Sequence, residues 1–150
     1  MLRRSDGTSF AASRARYLEA APGQLTRRDA KGYVRIAVGS PTFTTTAMLD
    51  TGSTYSVLDA DVAEEWGAFD EADAPTVELA TRHGLLRGCL VRRQVQLLAD
   101  EGESLEVDTT FWVSRDWQGG HFLGYAGFLQ RIRFALDPLT NSLHFGAALD

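Results

Sequence analysis

Between residues 91 and 113 the chain alternates apolar and polar side chains twice, and an acidic glycine turn separates the two runs. Val91, Val95 and Leu97 share one set of alternate positions with Arg93, while Arg92, Gln94 and Gln96 occupy the other. After Asp100-Glu101-Gly102, the set Leu105, Val107, Thr109, Phe111 and Val113 alternates with Glu106, Asp108, Thr110 and Trp112. Successive side chains of a strand point to opposite faces, so period two over runs this long predicts a half-buried hairpin and argues against a helix. The pattern recurs upstream. Val34, Ile36 and Val38 alternate with Tyr33, Arg35 and Ala37, Gly39-Ser40-Pro41 turns the chain, and a second run from Phe43 ends in the apolar Ala47-Met48-Leu49. The clear helix signal lies further on, where Asp59 is placed to cap, Val62, Ala63 and Trp66 form an apolar stripe, and Gly67 can end it. Many short strands with few helices predict an all-β, barrel-like domain.

Size and charge narrow the partners. At 150 residues and 44% hydrophobic the chain can bury one core and is too short for two lobes of ordinary size. Residues 1–31, rich in Arg, Ala, Ser and Gly, are expected to form a polar arm, partly disordered, with a short helix around residues 13–20. Residues 32–150 are expected to form the domain. A net charge of -5 without a basic stripe predicts no nucleic-acid partner. No run approaches the roughly 18 apolar residues of a membrane span, so no membrane association is expected. Cys89 is alone and can make no internal disulfide, and residues 5–20 hold no apolar core of a secretory leader. A cytoplasmic location is the expectation.

The chemistry centres on residues 48–58, Met-Leu-Asp-Thr-Gly-Ser-Thr-Tyr-Ser-Val-Leu. A carboxylate at the end of a buried strand, followed by a small hydroxyl residue and a glycine, can be presented on a tight turn: Gly52 permits close backbone approach, and the Thr51 hydroxyl can lock the turn. Other chemistries lack their residues. His83, His121 and His144 share no ligand spacing and no cysteine cluster, so neither a metal nor another cofactor is expected. No Gly-x-Ser-x-Gly elbow occurs, and Cys89 lies in an apolar-basic run with no signalled base, as a buried or edge thiol would. Gly119, Gly120, Gly124 and Gly127 do not fall at phosphate-loop or dinucleotide spacing and are read as turn residues.

The segment around Asp50-Thr51-Gly52-Ser53 resembles the active-site region of aspartic proteases, and more closely the small retropepsin-like group than the two-lobed pepsins. Phe122-Leu123-Gly124 is similar to the apolar-apolar-Gly element behind that site, and Gly127-Phe128-Leu129 leads into residues 133–137 as the family's closing helix and strand would. Ala80-Thr81-Arg82-His83-Gly84 stands where such proteins carry the hairpin flap. The resemblance spans about residues 33–146. It implies a closed retropepsin-like acid-protease barrel with one short helix after the active-site turn and another near the C-terminus. Asp50 would be the catalytic residue.

Amide hydrolysis by two aspartates needs one ionised to activate water and one protonated to polarise the carbonyl. Only one such motif is present, since Asp100 and Asp137 fall in turn sequences, so the second carboxylate must come from a second copy in a two-fold homodimer. An extended peptide or protein is the implied substrate, and the motif variants look bacterial. Thr54 and Tyr125 occupy the places where many retropepsins pair an acid with an arginine, so that interface ion pair is absent. The alternative from a different class is a catalytically silent retropepsin-like domain that serves as a peptide-binding or dimerisation module.

Overall fold

The alternating runs fold as strands with their apolar sets turned inward. In the computed structural model, which describes residues 1–19, 32–39 and 43–148, the first strands are β1 (Leu2–Arg3), β2 (Ser9–Ala11), β3 (Ser13–Arg16), β4 (Tyr33–Val38) and β5 (Thr44–Leu49). Then come β6 (Ser56–Val57), helix α1 (Ala60–Glu65), β7 (Thr76–Thr81), β8 (Gly84–Leu97) and β9 (Leu105–Val113). The chain ends with β10 (Phe122–Leu123), β11 (Ile132–Asp137) and β12 (Ser142–Ala147). Mostly β structure with very little helix is what the alternation demanded.

Seven strands share one sheet in the order β4-β5-β10-β6-β9-β8-β7, and β4 also pairs with β8. The path of bonded neighbours from β4 through β5, β10, β6, β9 and β8 therefore returns to β4, while β7 attaches to β8 alone. The two hairpins lie where the pattern placed them. β4 and β5 are antiparallel with Ile36 opposite Thr45, and β8 and β9 are antiparallel with Val91 opposite Phe111 and Val95 opposite Val107. Val34, Ile36, Val91, Val95, Val107 and Phe111 are all buried in the main core. Full burial of one such side chain contributes roughly 1.5–3 kcal/mol.

β8 is long because it has three neighbours in turn: β7 from Gly84 to Cys89, β9 from Cys89 onward, and β4 at its end. This explains Trp112, which sits at a polar-face position of the alternation yet is fully buried. The β7–β8 hairpin covers that second face of β9, so Trp112 joins Val57 and Trp117 in a smaller cluster against which Leu79, Leu86 and Phe122 pack.

Helix α1 starts as expected, with the Asp59 side chain accepting from the Asp61 N–H at 3.2 Å, and Gly67 follows it at φ +62°. Ala63 is fully buried, and the Trp66 ring meets Phe111 edge-on at 6.1 Å. The second helix, expected near the C-terminus, shrinks to a single 3-10 turn over Leu129–Arg131. Only residues 128–131 separate Gly127 from the β-branched start of β11, too few for an α-helix with its own hydrogen bonds.

The largest departure lies at the N-terminus. The helix expected around residues 13–20 is replaced by β3, which pairs antiparallel with β12, Ala15 opposite Leu143. Ala11, Ser13, Ala15 and Tyr17 are buried, so residues 9–17 pack on the domain rather than stand away from it as an arm. Arg14 and Arg16 point the other way, and Arg14 forms an ion pair with Glu101. Residues 20–31, the remainder of the expected arm, lie outside the described residues, as do positions 40–42 of the first hairpin's turn.

Candidate active site

Asp50 is the residue at which β5 stops. β10 runs parallel beside β5, with Phe122 opposite Met48 and Leu123 opposite Leu49, and it continues the pairing one step further: the Asp50 N–H donates to the Leu123 carbonyl at 3.0 Å. The backbone behind the carboxylate is thus bonded into the sheet up to the residue itself. Beyond it the chain reverses. The Ser53 N–H donates to the Asp50 carbonyl at 3.2 Å, and the Gly52 N–H donates to Asp50 Oδ1 at 3.0 Å, which orients the side chain along the turn. Ser53 Oγ donates to the Tyr55 carbonyl at 2.7 Å and closes the turn into β6. Thr51 and Gly52 are exposed and Asp50 is half-buried.

Phe122-Leu123-Gly124 is the buttress. A β-carbon on Gly124 would stand 2.2 Å from the Tyr55 carbonyl oxygen, so only glycine lets the two backbones approach this closely. Its N–H donates to Ser56 Oγ at 3.0 Å, which gives the fully buried Ser56 hydroxyl a partner. The N–H groups of Tyr125 and Ala126 then donate to the carbonyls of Ser53 and Thr54 at 2.9 and 2.7 Å. Two segments about seventy residues apart in sequence hold one turn in place from both sides.

The β7–β8 hairpin forms the roof. Thr81 pairs with Gly84 across a two-residue turn of Arg82 and His83. Thr81 Oγ1 donates to the Gly84 carbonyl at 2.8 Å and accepts from the His83 N–H at 3.1 Å. Gly84 has φ +99°, in the left-handed region that favours glycine. Between roof and turn lies a cleft of about 710 Å³. Asp50, Thr51, Gly52 and Ser53 line its floor, and Ala80, Thr81 and Arg82 line its roof. Of the remaining candidates, Phe122 reaches the cleft, whereas Leu123 and Gly124 sit behind the turn and His83 and Gly84 do not line it. His83 instead rests edge-on against Trp117 with ring centroids 5.9 Å apart.

Most of the cleft wall was not anticipated. Met48, Trp112, Trp117, Phe134 and Leu136 line it too. A tryptophan between two strand signals, with Gly119-Gly120 shortly after it, was the available clue to Trp117. Asp50 supplies the only carboxylate among the described residues that line the cleft.

Two titratable groups of the domain are shifted by burial. Burial pushes the His121 imidazole below its usual range, only partly opposed by the Asp59 charge. Its Nδ1 accepts from the Asp59 N–H at 3.2 Å, as a neutral ring can, so this histidine couples the approach to β10 with the start of α1. Burial also pushes the Cys89 thiol up, which makes it a poor nucleophile. Among the described residues no group of three or more His, Cys, Asp or Glu is placed to hold a metal, and no helix is long and apolar enough to cross a membrane.

This architecture, a strand-borne Asp-Thr-Gly turn buttressed by an apolar-apolar-Gly strand and roofed by a hairpin, is retropepsin-like. Among solved structures the chain is similar to a retropepsin-like aspartic protease from Rickettsia conorii, at 22% identity and a TM-score of 0.55, over 78% of this chain and 91% of that one. No protein-family model and no curated protein matches the sequence.

Proposed function

We propose that the protein is an aspartic endopeptidase whose water-activating pair consists of two Asp50 side chains, one from each subunit of a homodimer. The observation that carries this reading is a carboxylate, single among the described residues that line the cleft, held on a doubly buttressed turn beneath a hairpin roof. One Asp50, ionised, takes a proton from water as the water oxygen bonds the carbonyl carbon, while the other, protonated, donates to the carbonyl oxygen. The tetrahedral diol then collapses: its C–N bond breaks as the amide nitrogen takes the proton from the first carboxyl and a diol hydroxyl returns one to the second. Two carboxylates this close cannot both ionise, so the shared proton is a consequence of the symmetry. The substrate is a peptide lying extended between turn and flap, held by strand-like main-chain bonds and by side-chain pockets in an apolar wall.

Supporting the same reading, the circuit of strand pairings is that expected of a closed acid-protease barrel. The Rickettsia protein that the fold resembles is bacterial, and the lone Cys89 suits a reducing cytoplasm. The test is Asp50→Asn. It removes acid and base together while the amide can keep the turn, so peptide cleavage should be lost with thermal stability equal to or above that of the wild type. Cleavage by this variant at the wild-type rate would exclude the mechanism.

A further inference from the structure

Two tryptophans hold the flap, beside Ser114, whose Oγ–H donates to the Arg87 carbonyl at 2.8 Å. At its stem, Trp112 Nε1–H donates to the Val77 carbonyl at 2.9 Å. At its tip, the Arg82 guanidinium carbon lies 6.0 Å from the centroid of the Trp117 ring, and the His83 ring meets the same indole edge-on, 63° from coplanar. Trp117 is itself immobilised by its own loop: Nε1–H donates to the Gly120 carbonyl at 2.9 Å, and a β-carbon on Gly119 would stand 2.2 Å from the indole. Its carbonyl accepts from the Ala60 N–H at 3.0 Å, which ties it to the first residue of α1. Beyond the turn's internal bonds, the tip gains little else. A β-carbon on Gly84 would meet nothing within 4 Å, and Arg82, His83 and Leu85 are exposed.

Trp117 also belongs to the cleft. Its ring packs edge-on against Phe122 at 5.8 Å, and it lines the cavity together with Phe122, Val57, Arg82 and Asp50. One side chain therefore touches the hairpin tip and forms part of the wall that a substrate side chain would meet. We propose that Trp117 is the positioning and specificity-determining residue of this site, holding the flap tip through Arg82 and His83 and presenting, with Phe122 and Val57, the surface against which a bulky apolar substrate side chain packs. The flap half of this proposal stands on the fold alone; the substrate half rests on the peptidase reading.

Amide hydrogen exchange over residues 79–86 of the substrate-free protein reads the flap half without any catalysis. In the Arg82→Ala/His83→Ala double variant, which alters only exposed side chains, exchange should rise about 10-fold. Trp117→Ala should do the same, and Trp117→Phe, which keeps a ring beneath the tip, should stay within about 2-fold of the wild type. Unchanged protection in the double variant would overturn the flap contact. For the substrate half, a peptide library varied on both sides of the scissile bond is compared among wild type, Trp117→Phe and Trp117→Ala. The truncations should move the preferred apolar side chain to larger ones and raise KM for the wild-type optimum more than they lower kcat. An identical preference profile in all three overturns the specificity role even if cleavage is intact. A wild type that cleaves nothing removes the peptidase reading and the substrate half with it, while exchange still decides the flap contact.

Discussion

Gly124 is the residue on which the geometry of the site most directly depends. Its missing β-carbon allows β10 to lie against the Tyr55 carbonyl and so to brace the Asp50 turn. Gly124→Ala should therefore cost about 3 kcal/mol, because the nearest obstacle is backbone and cannot rotate away. A denaturant midpoint equal to that of the wild type would show that the buttress yields at no cost. His121 makes a second prediction, with a definite sign. Its pKa in the folded protein is lowered by burial, while the unfolded chain titrates near the ordinary value of about 6.5. The unfolded state thus binds the extra proton first: this contribution to stability is complete above about pH 6.5 and is lost as pH falls from there toward the folded-state value. His121→Gln, whose amide oxygen can still accept from the Asp59 N–H, should flatten unfolding free energy against pH over that window. An unaltered slope would assign the dependence to other groups. Asp50 and Gly124 were readable in the chain because an acid, a hydroxyl and glycines at fixed places have few structural uses. His121 and Trp117 were not, since their roles depend on partners about sixty and thirty-five residues away.

Among the elements, the hairpins were legible wherever large apolar residues alternated over six or more positions, as in β4, β8 and β9. β3 escaped notice for a physical reason. Its inward positions are Ser13 and Ala15, too small to register as an apolar face, and arginines fill the outward ones. What makes it a strand is β12 alongside it, together with the bonds from Arg14 to the backbone of residues 100 and 101, neither of which local propensity contains. The shortened C-terminal turn has a comparable cause, since β11 begins too soon to leave room for a helix. A hairpin stands over Asp50 where the resemblance implied one, but its attachment to Trp112 and Trp117 has no signal in the sequence. Because Gly84 sits at φ +99° beside open space, Gly84→Val adds backbone strain of about 1–2 kcal/mol without a clash. In a chain of this size that lowers the melting temperature by a few degrees. Under the peptidase reading, in which the turn opens and closes over the cleft, turnover should fall by considerably more than this modest loss of stability suggests. Global unfolding of this variant would mark the hairpin as a structural element instead of a mobile lid.

On the scale of the whole molecule, the described residues present one carboxylate to the cleft, and the proposed chemistry requires two. Neither Asp100 nor Asp137 can supply the second: Asp100 accepts from the Arg16 N–H and pairs with Arg35, and Asp137 caps the β11–β12 turn by accepting from the Leu139 N–H. A subunit-mixing titration measures this directly. Wild type and Asp50→Asn are combined in varying proportions at constant total protein, allowed to exchange subunits, and assayed for cleavage. If each site takes one Asp50 from each subunit, activity follows the square of the wild-type fraction, so an equal mixture retains about a quarter of full activity. Activity that instead falls linearly, to about half in the equal mixture, would mean that each chain carries a complete site of its own and would contradict the shared pair.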